Sequence, residues 1–152
     1  MIRAVLDSSV LVSAFLTVGG TSHTVLSAAD KRSFVLCLSD AILEETRNSW
    51  RQKVKTIRRY YTYSNERVEA HIADLAALAE QISDLPDLRV VPLDQKDDVI
   101  VATAVKARAG YIVSGDRHLL VLGTYEGIRM VTPRQFLDLI ESGSSGRTGP
   151  GD

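Results

Sequence analysis

Four acidic residues, Asp7, Glu45, Asp97 and Asp116, each lie just past a short apolar run of the kind that makes a buried parallel strand. Ile2 to Leu6 precedes Asp7, Phe34 to Leu38 lies upstream of Glu45, Arg89 to Val91 lies upstream of Asp97, and Tyr111 to Val113 precedes Asp116. A helical pattern follows each run, so the chain reads as repeated strand-helix units building a parallel sheet. In open sheets of that kind ligands sit beyond the carboxyl ends of the strands, and all four acids fall on that edge. Carboxylates gathered there repel one another unless a cation sits among them. Oxygen donors suit a hard divalent ion, Mg²⁺ or Mn²⁺.

The elements that must carry these acids follow from the same pattern. Ser8 or Ser9 can cap a helix through Ala14, and Gly19-Gly20 marks a loop before a short helix ending near Lys31. Ser39 is placed to cap a helix holding Ile42, Leu43, Thr46 and Trp50, with Glu45 on it. Ser64-Asn65-Glu66 begins an amphipathic helix whose stripe runs Val68, Ile72, Leu75, Leu78, Ala79, Ile82 up to Pro86. Arg89 to Val91 is expected as a brief third strand. Asp97 and Asp98 then open a small-residue helix that Gly110 closes. Tyr111 to Val113 is the fourth strand, Ser114-Gly115-Asp116 its turn, Ile128 to Val131 the fifth, and Thr132-Pro133 starts a last helix through Ile140. The expected architecture is an α/β/α sandwich around a mainly parallel sheet of about five strands, one domain over 1–141, with a flexible Gly/Ser-rich tail over 142–152.

Bulk properties narrow the function classes. The 152 residues are one domain's worth, 45% apolar and 24% charged, and no apolar run approaches the roughly 20 residues of a membrane span. No membrane partner is expected, and with no charged and apolar leader ahead of the first strand the expected location is the cytoplasm. The lone Cys37 sits inside a strand and reads as a small buried hydrophobe. His23, His71 and His118 fall on different elements, which argues against zinc.

Net charge is only −1, but its distribution is uneven. Arg47, Arg51, Lys53, Lys55, Arg58, Arg59 and Arg67 face a single Glu66 between positions 47 and 67, with Tyr60, Tyr61 and Tyr63 among them. Cations pair with phosphates while aromatic rings stack on bases, so Arg51, Lys53, Lys55, Arg58 and Arg59 are candidate nucleic-acid contacts. The bland alternative is a solvated helix face or a dock for an acidic protein.

Taken in order, the acidic blocks resemble the PIN-domain ribonucleases, including the VapC-like toxins of prokaryotic toxin-antitoxin systems. Val5-Leu6-Asp7-Ser8-Ser9-Val10 is similar to that family's strand-to-helix entry, and Ser39 to Glu45 to its second block, with the acid on Glu45 in preference to Glu44. Asp97-Asp98-Val99-Ile100 resembles the third block and Val113-Ser114-Gly115-Asp116 the fourth. The likeness spans roughly residues 2 to 140. One departure is Ser9, where the family often has Asn; a hydroxyl there can still bind a ligand carboxylate or a water. The third block leaves Asp97 or Asp98 as ligand, and the spacing to Ile100 favours Asp97, with Asp98 beside it.

The resemblance implies a Mg²⁺- or Mn²⁺-dependent endoribonuclease, plausible as the toxin of a toxin-antitoxin pair, with an RNA substrate, a cognate antitoxin and a homodimer. Asp7, Glu45, Asp97 and Asp116 would be the metal and catalytic set, Glu45 completing the shell or orienting the attacking water. Ser8, Ser9, Asp98 and Ser114 would support it or touch the scissile phosphate. Taken singly, Asp7 and Asp116 could merely cap helices, and Glu45 could be a surface residue. A different class stays open: a PIN-like RNA-binding or scaffold domain with little catalysis. A phosphohydrolase of the haloacid-dehalogenase type also begins strand-Asp, but needs a second Asp where this chain has Ser9.

Overall fold

Ala4, Val5 and Leu6 are each fully buried, which places the first strand in the middle of a sheet covered on both faces. The computed structural model describes residues 1–56, 64–90 and 95–148. Strand β1 (Arg3–Leu6) leads into α1 (Ser8–Leu16) and α2 (Thr21–Asp30), then β2 (Val35–Ser39), α3 (Asp40–Thr56), α4 (Asn65–Leu78) and β3 (Glu80–Ile82). The chain continues through α5 (Gln95–Ala107), β4 (Tyr111–Val113), α6 (Arg117–Leu122), the two-residue β5 (Thr124–Tyr125), β6 (Ile128–Val131) and α7 (Pro133–Thr148).

The strands form one six-stranded sheet in the order β3-β2-β1-β4-β6-β5, parallel throughout except for the β5–β6 pair. The chain winds outward from β1 to β2 and β3, then returns to β4 on the other side of β1. The winding direction therefore reverses between β1 and β4, the position where α/β sheets open a crevice for ligands. One core draws on residues from Ala4 to Leu137, with Phe136 of α7 packed edge-on against Phe34 at 4.8 Å. A second cluster of Val12, Trp50 and Val68 fastens the α3–α4 arm to α1, and Phe15, Trp50 and His71 stack there at 4.3 to 4.9 Å.

The α/β architecture expected from the sequence is present, with two differences among its strands. Arg89 and Val90 form no strand, and Val91 lies outside the described residues. The third strand is instead Glu80–Ile82, because α4 stops at Leu78 and Ala79 turns to an extended ψ of 151°. Ile82, read as the end of the helical stripe, is the one buried residue of an edge strand. The hairpin strand β5 adds the sixth member.

Four helix ends also move. Asp7, not Ser8 or Ser9, caps α1, and the helix runs to Leu16. Arg108, at φ 55°, and not Gly110, takes the left-handed position after α5, with Ala109 N–H bonded back to the Ala104 carbonyl at 3.0 Å. Helix α7 continues to Thr148, past Ile140 and into the segment expected as a tail, since the final turns of a helix are weakly specified by sequence. Among the described residues no single helix is long and apolar enough to cross a membrane.

Candidate metal centre

Register sets the first pair of acids. Leu6 pairs with Val113 across β1 and β4, so the next residues, Asp7 and Ser114, leave the sheet side by side. The Asp7 N–H is still bonded to the Val113 carbonyl at 3.1 Å, and the Ser114 N–H to the Val131 carbonyl at 2.9 Å. Both side chains are held at the reversal point by backbone that cannot shift without breaking the ladder.

Asp7 is only 5% exposed, and three donors surround its carboxylate. Oδ1 accepts from the Ser9 hydroxyl at 2.6 Å and from the Val10 N–H at 3.0 Å. Oδ2 accepts from the Ser114 hydroxyl, which is itself fully buried. Ser114 Oγ also accepts the Asp116 N–H at 2.8 Å, so one hydroxyl ties Asp7 to the backbone carrying the next acid. Asp116 is half-buried, and its Oδ1 caps α6 by accepting the His118 N–H at 2.8 Å. Capping is thus a real role for both aspartates, but it uses only part of each carboxylate's acceptor capacity.

Electrostatics mark the same pair. Burial pushes the Asp7 carboxyl above its ordinary range, the Ser114, Ser9 and Val10 donors pull it back, and the neighbouring Asp116 charge adds to the rise. Among the described residues neither aspartate forms an ion pair with Arg or Lys. Anionic oxygens in a buried crevice without a protein cation are a donor set that fits a hard divalent ion.

The other two acids arrive on helices. Arg3 Nε donates to the Ala107 carbonyl at 2.9 Å, so the end of α5 sits beside the start of β1 and its first turn points to the carboxyl edge. Midway, the Thr103 hydroxyl donates to Ser39 Oγ at the end of β2, at 3.0 Å. Asp97 stands six residues before Thr103, about 9 Å further along a helix rising 1.5 Å per residue, and is 6% exposed. Asp98 is committed elsewhere: its Oδ1 accepts the Val90 N–H at 2.7 Å, and it lines a small cavity with residues 85 to 89. Glu45 is half-buried on α3, whereas Glu44 is exposed and pairs with Arg47. Among the described residues, no three acids, histidines or cysteines converge into a finished metal cluster. The pair held together is Asp7 with Asp116; Asp97 stands in the first turn of α5 and Glu45 on α3.

The remaining candidates separate. Ser8 is partly exposed in the first turn of α1. Ser114 is fully buried, and its hydroxyl donates to Asp7 and accepts the Asp116 N–H, so it is engaged with the two acids. A Cβ at Gly115 would meet Ser9 Oγ at 3.9 Å, an ordinary contact, so the turn does not need glycine for a close approach. Arg51 is paired with Glu69 at 2.9 Å, and Arg47 with both Glu69 and Glu44. Lys53 and Lys55 are exposed in the last turn of α3; Arg58 and Arg59 lie outside the described residues. Burial raises the Cys37 thiol, which keeps it an inert core residue. Sequence reasoning missed the Ser39–Thr103 bridge, whose only trace was a hydroxyl at a strand end and another in an alanine-rich helix.

A family model described as PIN domain matches residues 3–118 of this chain. No curated protein matches the sequence. Among solved structures, the chain is similar to the crystal structure of VapBC2 from Rickettsia felis bound to a DNA fragment from their promoter. The TM-score is 0.58 at 12% identity, over 85% of this chain and 97% of that one. At that identity the likeness concerns the fold.

Proposed function

The chain belongs to the PIN domain family, and from that premise we propose that it is a metal-dependent endoribonuclease acting as the toxin of a toxin-antitoxin pair. The observation that carries this reading is the pair of carboxylates, Asp7 and Asp116, fixed at the sheet's reversal point and left without a basic partner among the described residues. A Mg²⁺ or Mn²⁺ ion bound there supplies a water of lowered pKa and neutralises charge on the phosphoryl oxygens.

The chain's own residues do the rest. Asp7 and Asp116 hold the ion from the two central strands, and Asp97 adds an oxygen from the first turn of α5. Glu45, on α3, orients the attacking water and receives its proton. Asp98 holds the Leu85–Val90 segment against α5, which favours Asp97 as the ligand of the two. Lys53 and Lys55 bind the RNA backbone as exposed point charges, so affinity falls as salt rises. Ser8 borders the scissile phosphate.

The partner in this reading comes from the family resemblance: a cognate antitoxin neutralises the site by covering the acids or placing a cation among them, and the similarity in fold to VapBC2 from Rickettsia felis supports it. The active species in this reading is a homodimer in the cytoplasm.

The test is cleavage of a single-stranded RNA panel with Mg²⁺, with Mn²⁺ and with EDTA, by the native chain and by Asp7→Asn and Asp116→Asn. Metal-dependent cleavage that both substitutions abolish is the expected result. RNA binding without cleavage under either ion would replace the nuclease with an RNA-binding module.

A further inference from the structure

The donors around Asp7 do more than compensate its burial, because they are unevenly shared between its two oxygens. A carboxylate offers about four lone-pair directions, two on each oxygen. On Asp7, among the described residues, Oδ1 accepts from both Ser9 Oγ and Val10 N–H, while Oδ2 accepts only from Ser114 Oγ. Both directions on Oδ1 are filled and one direction on Oδ2 is open. We propose that Ser9 and Ser114 are a positioning pair that makes Asp7 a one-oxygen ligand through Oδ2, and that this selects a small octahedral cation over Ca²⁺.

The two cations ask different things of a carboxylate. Mg²⁺ and Mn²⁺ sites take oxygens singly in near-octahedral geometry, whereas Ca²⁺ accepts six to eight oxygens and readily takes both from one carboxylate. A carboxylate whose Oδ1 is occupied by two donors cannot offer that two-oxygen grip. Ser9 is the adjustable member of the pair: it is exposed, in the first turn of α1, and among the described residues its hydroxyl bonds only Asp7. Ser114 is the fixed member, since its hydroxyl is also held by the Asp116 N–H. The short hydroxymethyl side chain at position 9 therefore sets the aim of Asp7 directly.

This inference rests on the metal-dependent reading above, and the experiment separates the two. Mn²⁺ binding is followed by loss of the free-ion EPR signal, with Ca²⁺ as competitor, for the native chain, Asp7→Asn, Ser9→Ala, Ser9→Thr, Ser114→Ala and Ser114→Thr. The expected result is Mn²⁺ binding roughly 10- to 100-fold weaker in each alanine variant, the size usual for removing a partner of a metal ligand. Ca²⁺ competes better against Mn²⁺ in Ser9→Ala than in the native chain, and Ser9→Thr restores both values. Circular dichroism monitors folding; should the buried Ser114→Ala fail to fold, the exposed Ser9 pair decides alone. Native-like Mn²⁺ affinity and Ca²⁺ competition in a folded Ser9→Ala, with binding lost in Asp7→Asn, overturns the positioning pair and leaves the metal site standing. Absence of Mn²⁺ binding by the native chain, or binding that survives Asp7→Asn, overturns both.

Discussion

The sheet edge and the α3–α4 arm both gather acidic residues, and they treat them in opposite ways. On the arm, Glu69 meets Arg47 and Arg51 at 2.8 and 2.9 Å, and Glu44 meets Arg47, all at half-exposed positions. At the edge, Asp7 is buried and receives only hydroxyl and amide donors, with Asp116 as a like-charged neighbour. Neutral donors orient an anion without discharging it. Acids matched by guanidinium serve the fold, while acids matched by dipoles keep their demand for a cation.

The contrast breaks most sharply on cleavage. In the proposed nuclease, replacing either edge aspartate removes charge stabilisation at the reacting phosphate. Asp7→Asn or Asp116→Asn is expected to lower the cleavage rate about 10²- to 10³-fold, the size seen when such stabilisation is lost elsewhere. Gel analysis of a labelled RNA reads this directly, and equal rates in native and substituted chains would erase the distinction between the two regions.

Ion binding should next show in the melting temperature. An ion at 100 times its dissociation constant stabilises the folded chain by about 2.7 kcal/mol, or roughly 5 to 10 °C for a domain of this size. The edge predicts that shift with Mg²⁺, and its loss in Asp7→Asn; an unchanged shift in Asp7→Asn would move the ion elsewhere.

Acidity sharpens the same point. The Asp7 carboxyl titrates above its ordinary value of 3.8, chiefly through burial. The protonated form therefore stabilises the metal-free fold fully below about pH 4, and that contribution is lost as pH rises through the raised folded-state pKa. The metal-induced melting shift should accordingly grow from acid to neutral pH, because at low pH the ion must displace the Asp7 proton into solvent. A shift independent of pH between about 4 and 7 would contradict the raised Asp7 value.

The arm should respond least. Glu69→Gln removes half-exposed ion pairs and is expected to cost no more than about 1 kcal/mol in urea unfolding. It also releases Arg51, while Arg47 keeps Glu44, so RNA affinity should rise modestly and become steeper in salt. A large loss of stability would mean that the arm's acids matter as much as the edge's.

Much of this was legible before any coordinates. Strands β1, β2, β4 and β6 announced themselves as compact runs of branched residues, because strands buried on both faces must be apolar throughout. Strand β3 was hidden because an edge strand needs only one buried residue, and Ile82 happened to continue the helical spacing of Leu75 and Leu78. Asp7 and Asp116 stood out as acids at strand ends, but their closeness depends on β4 pairing with β1, a long-range register that local periodicity does not encode. Counting cations along α3 does not reveal Glu69 on the neighbouring helix, which pairs with Arg47 and Arg51.

The hydroxyl link from Ser114 to Asp7 joins positions 107 residues apart. During synthesis, β1, α1 and α2 emerge first, yet the carboxylate pair cannot exist until β4 has left the ribosome and inserted beside β1. A truncated or stalled chain therefore carries the first acid without its companion. The pairing of the two carboxylates therefore waits until synthesis has passed Asp116.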